Sequence, residues 1–77
     1  MAIDKKYGKI DIPGVPDDEP VFVMRGQDVS TPHAINLYAD TSITNGSSPE
    51  HAESAREASS EIRAWQQENE DKVKVAD

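Results

Sequence analysis

"VFVMRGQDVSTPHA", Val21 to Ala34, runs from four apolar residues through a polar turn into the opening grammar of a helix. Val21 to Met24 predict a strand that continues from Pro20, since a strand tolerates proline at its first position. Both faces of that strand are apolar: Val21 and Val23 on one, Phe22 and Met24 on the other. Such a strand needs cover on two sides, which a two-stranded hairpin under one helical layer does not supply. The pattern therefore points to a partner surface. Beyond the turn, Ser30 or Thr31 is placed to cap a helix, Pro32 suits its first position, and Asn45-Gly46 closes it.

Working outward, "PGVPDDE" (Pro13 to Glu19) reads as a loop, and "KIDI" (Lys9 to Ile12) alternates as a half-buried strand does. Residues 1–8 read as a flexible start. On the C-terminal side, Ile35, Tyr38, Ala39 and Ser42 share one face of the first helix, flanked by Ala34, Leu37 and Thr41. Ser48, Pro49 and Glu50 open a second helix that should reach about Glu70. Its expected buried stripe is Ala52, Ala55, Ala58 or Ser59, Ile62 and Trp65, with small residues allowing close approach and Ile62 and Trp65 as packing anchors. Two helices joined by about four residues should pack antiparallel as an αα-hairpin. "KVKV" (Lys72 to Val75) reads either as a short edge strand or as a frayed tail, with residues 71–77 flexible. The expected fold is a single α+β domain over 1–77, a β-hairpin followed by an αα-hairpin (β-β-α-α).

Composition narrows the function. The chain has 77 residues, no cysteine and a net charge of −7. A domain of this size buries only about 60% of its unfolded surface. Past Met1 it offers eighteen large hydrophobes and no disulfide, so self-association is an expected source of stability. No apolar run approaches a membrane span, and "MAIDKKYG" lacks the apolar core of a signal peptide, so a cytoplasmic location is expected. Direct nucleic-acid or membrane binding lacks its electrostatic footprint. An acidic surface suits basic protein partners, or simply solubility.

Arg25, Gly26, Gln27 and Asp28 lie between a strand and a helix N-terminus, where free N–H groups and the helix dipole favour anions. With Thr31 and His33 they could grip a phosphate or a carboxylate. The alternative is turn chemistry: Asp28 stabilises the turn, Gly26 supplies an unusual φ, and Arg25 pairs with Asp17, Asp18 or Glu19. Phe22 and Met24, with Ile62 and Trp65, are the oligomer or packing candidates. Glu50, Glu53, Glu57 and Glu61 are spaced three and four apart, in one stripe relieved by Arg56 and Arg63. That stripe is either a solvated helix face or a partner surface imitating a phosphate track. As metal ligands, His33 and His51 lack an i,i+4 partner and any cysteine, so no metal and no cofactor are expected. Asp28, Ser30 and His33 lie too close along the chain for triad geometry, and no enzymatic activity is expected.

"DEPVFVMRGQD" (Asp18 to Asp28), "SSPEH" (Ser47 to His51) and "AWQQENEDK" (Ala64 to Lys72) resemble a group of small, mostly uncharacterised phage- and prophage-encoded accessory proteins. The resemblance covers about residues 7–75. It implies a virus-encoded protein in the bacterial host cytoplasm that works by stoichiometric binding. Three function classes follow. The first is inhibition of a host or anti-phage defence protein. The second is a homo-oligomeric sponge for a small (cyclic) signalling nucleotide, and the third a weak DNA mimic using the glutamate stripe.

Overall fold

The computed structural model describes residues 2–76. Three short strands, β1 (Ala2–Asp4), β2 (Gly8–Ile10) and β3 (Pro20–Val21), precede two helices, α1 (Thr31–Thr44) and α2 (Pro49–Glu68). A 3-10 turn over Glu70–Lys72 follows. The α+β class and the αα-hairpin stand as expected, and the sheet gains a strand, giving β-β-β-α-α.

Local chemistry accounts for both helices. Ser48 is extended, its Oγ accepts from the His51 amide at 3.2 Å, and Pro49 and Glu50 occupy the first turn. At the end of α1, Gly46 takes a φ of 96°; its amide donates to Ile43 and that of Ser47 to Ser42. This pair of bonds is a Schellman closure, and only glycine enters it without a Cβ penalty. The start of α1 differs from expectation. Neither hydroxyl caps it: Ser30 is helical in backbone and makes no side-chain cap, while Thr31 Oγ1 donates to the Arg25 carbonyl instead. Asp28 does that work two residues upstream, its carboxylate accepting from the Ser30 amide and its carbonyl from the Thr31 amide.

The helices run antiparallel: the start of α1 is bonded to the middle of α2, and the middle of α1 to the first half of α2. Ser59 Oγ donates to the Pro32 carbonyl at 2.9 Å, Arg56 pairs with Asp40 at 3.0 Å, and Tyr38 Oη bonds His51 Nε2 at 2.7 Å. Small residues fill the seam: Thr31, Pro32, Ala39 and Ser42 from α1, Ala52 and Ser59 from α2. Ile62 is half-buried, while Trp65 is 40% exposed and its ring lies beside Gly26 of the junction. Tyr38 and Leu37 also face outward, leaving Ile35 half-buried and Ala39 and Ser42 buried.

The sheet departs furthest from the sequence reading. Its order is β2-β1-β3, with β1 central. β1 pairs antiparallel with β2 (Ala2 opposite Ile10, Asp4 opposite Gly8) and parallel with β3 (Ile3 opposite Pro20). Residues 2–8, expected to be flexible, thus form the centre of the sheet and its hairpin turn, with Ala2 and Asp4 buried. The hairpin joins β1 to β2, not Lys9–Ile12 to Val21–Met24. Strand structure also stops at Val21, so the side chains of Phe22, Val23 and Met24 stay exposed rather than covered on two sides. At the other end, Lys72–Val75 makes a single parallel bridge, Asp28 to Lys74, instead of a strand. Its bonds run from Val29 N to Lys74 O and from Lys74 N to Gln27 O, at 3.0 and 2.9 Å.

The strands make no close backbone approach to either helix. The molecule measures 36 × 31 × 18 Å with a radius of gyration of 13.9 Å, against about 11.5 Å for a tightly packed chain of this length. It is a flat body whose two halves meet through the segment from Phe22 to Ser30.

Candidate functional site

That junction is built by three interactions of different range. Locally, the Asp28 amide donates to the Arg25 carbonyl, closing a turn over Arg25–Asp28. From α2, Gln66 Nε2 reaches both the Gly26 and the Asp28 carbonyls, at 2.8 and 2.9 Å, and clamps that turn to the helical hairpin. Gly26 has no left-handed φ, contrary to the unusual backbone expected of it. A Cβ there would stand 3.9 Å from Trp65 and 4.0 Å from Ile62, ordinary contact distances, so the position tolerates a side chain.

The third interaction belongs to Asp4, which the sequence reading passed over. The residue is 3% exposed, and its carboxylate accepts three backbone amides: Tyr7 and Lys6 on Oδ1, both at 2.8 Å, and Val23 on Oδ2 at 2.7 Å. The Tyr7 bond above all holds this carboxyl below its ordinary 3.8. Burial opposes that shift, while the Val23 and Lys6 bonds and the Lys6 charge reinforce it. Asp4 thereby ties the β1–β2 turn to the chain leaving β3. One signal for this was present: in "DKKYG" an aspartate opens a three-residue connection and Gly8, at φ 80°, ends it. The bond to Val23, nineteen residues away, left no local trace.

Between these segments lies a cavity of about 210 Å³. Lys6 and Tyr7 come from the hairpin turn, Phe22, Arg25 and Asp28 from the junction, and Lys74 from the C-terminal bridge. The Lys6 ammonium stands 5.6 Å from the centre of the Tyr7 ring. Among the described residues the Arg25 guanidinium makes no hydrogen bond or ion pair, so the expected pairing with Asp17, Asp18 or Glu19 is not formed. On the other side of the Arg25–Gln27 ridge, a shallower depression exposes Ile62, Trp65 and Glu61.

The structure thus brings Arg25, Gly26, Gln27 and Asp28 together with Phe22, and places Ile62 and Trp65 across the ridge. It separates the others. Thr31 is buried, its hydroxyl spent on the Arg25 carbonyl. His33 is exposed and faces a different depression, beside Arg63 and Gln66. Met24 is exposed outside the cavity. Glu50, Glu53 and Glu57 lie on the outer surface of α2, and Arg56 reaches across to Asp40 of α1. Among the described residues, no group of three acidic or histidine side chains gathers as a metal site. No family model, curated protein or solved structure matches the chain, so the chemistry of the site rests on its own geometry.

Proposed function

We propose that this protein acts by stoichiometric, non-enzymatic binding of a protein partner through the junction end of the sheet. The observation that carries this reading is exposure. Phe22 is 83% exposed, twelve of the eighteen large hydrophobes past Met1 are exposed, and among the described residues the largest fully buried side chains are Thr31 and Ser59. Contiguous apolar surface on a small protein marks an interaction site. Phe22, with Tyr7 and Val23, forms such a surface beside Arg25. The likeness of "DEPVFVMRGQD" to small phage accessory proteins accords with a binder that blocks a host or defence protein in the bacterial cytoplasm. Among the described residues, no helix is long and apolar enough to cross a membrane.

The test compares the wild-type protein with Phe22→Glu in native mass spectrometry of complexes recovered from a bacterial host. The expected result is one complex of fixed stoichiometry, lost in Phe22→Glu and kept in Tyr38→Glu on the opposite, helical half. A complex that survives Phe22→Glu, or a wild-type protein that is always recovered alone, overturns the reading.

A further inference from the structure

We propose that the 210 Å³ cavity binds a small anion joined to a planar ring, the chemistry of a nucleoside monophosphate.

Charge supplies the first argument. The chain carries fifteen acidic residues against eight lysines and arginines, yet three of those eight, Lys6, Arg25 and Lys74, line this one cavity. They come from positions 6, 25 and 74, so no run in the sequence concentrates them; the fold does. Among the described residues Asp28 is the acidic one in the lining, and its Oδ1 is committed to the Ser30 amide. Arg25 is exposed and, among the described residues, has no carboxylate partner. A guanidinium presents a planar fork of donors that matches a phosphate or carboxylate.

The second argument is aromatic surface. Four aromatic residues occur in the whole chain, and two of them, Tyr7 and Phe22, line the same cavity. An exposed phenylalanine beside cations offers a stacking face for a base, which every nucleobase can use.

Preorganisation is the third. The Lys6–Tyr7 turn and the Val23 backbone are held by one buried carboxylate, the Arg25 turn by Gln66, and Lys74 by two backbone bonds. The walls are set before any ligand arrives, which lowers the ordering cost of binding. Size limits the ligand: enclosed ligand pockets begin at about 300 Å³. This cavity therefore accepts one anionic group and part of one ring, and leaves the rest of the ligand in solvent.

The inference stands apart from the partner reading, since it is tested on the protein alone. Isotope-labelled full-length protein is titrated with AMP, inorganic phosphate and adenosine, and amide shifts are followed. AMP should bind saturably, shifting Tyr7, Phe22 and Arg25 together, and about tenfold more tightly than phosphate or adenosine. Arg25→Ala should weaken AMP by roughly tenfold or more, and Phe22→Ala should weaken AMP but leave phosphate unchanged. Both side chains are exposed, so the variants keep the fold, and their unperturbed helix amides verify it. Arg63→Ala removes a cation outside the cavity and should change nothing. Equal losses in Arg25→Ala and Arg63→Ala would mean diffuse attraction and overturn the proposal. So would phosphate or adenosine binding as well as AMP, or no saturable shift at millimolar AMP.

Discussion

The helical hairpin and the sheet contrast in what holds them. The ends of α1 and α2 are set by residues near each other in the chain, a serine cap, a proline in each first turn and a glycine closure, and several cross-links share the work of joining the pair. The three strands total eight residues, and much of their geometry depends on one carboxylate reaching from residue 4 to residue 23. Local determinants are redundant; a single long-range determinant is not. The two halves should therefore fail separately, and in different ways.

Asp4→Ala tests this most severely. It strands the Lys6, Tyr7 and Val23 amides, and should abolish exchange protection at Tyr7 and Val23 while the helix amides persist. Acid should reproduce the effect in wild-type protein. Because the folded carboxyl titrates below 3.8, Asp4 stabilises the sheet above that pH, and the contribution is lost as pH falls through the lowered value. Sheet amides should thus open before helix amides on acidification; simultaneous loss would make the two halves one cooperative unit. The converse variant is Ala52→Leu, which overpacks the buried seam and should cost about 2–3 kcal/mol by urea denaturation, chiefly in the helices. Gln66→Ala cuts the clamp between the halves. A loss of about 1–2 kcal/mol is expected, with larger shifts at Gly26 and Asp28 than within either half. Smallest is Ser48→Ala, about 1 kcal/mol at the α2 cap, readable as fraying of the amides of Pro49–Glu53 that carry protons.

The same contrast explains what could be read from the chain. Both helices were legible because capping and closure signals lie within a few residues of the ends they mark: Ser48-Pro49 and Asn45-Gly46 fall where α2 begins and α1 stops. Only the first cap was misplaced: Asp28, two residues earlier, takes the Ser30 amide on its carboxylate and the Thr31 amide on its carbonyl, and the Ser30 hydroxyl caps nothing. The central strand was missed because "AID" is three residues long, too short for a period to register. Arg25, Gln27 and Asp28 were found at the junction because turn and helix start are adjacent. Lys6, Tyr7 and Lys74 were not, since only tertiary structure brings both ends of the chain beside Arg25. Conversely, Thr31 and His33 were grouped with them by proximity in sequence, which the helix then separates by rotation about its axis.

An interior lined by alanine, serine and threonine also shapes the response to temperature. Unfolding such a chain hydrates little new hydrocarbon, so its heat-capacity increment should fall below the usual 12–15 cal/mol/K per residue, a figure of about that size for larger-cored domains. The free-energy curve then becomes broad and shallow. Calorimetry should record a weak, drawn-out endotherm, and cooling toward freezing should weaken the fold less than it weakens an aliphatic core.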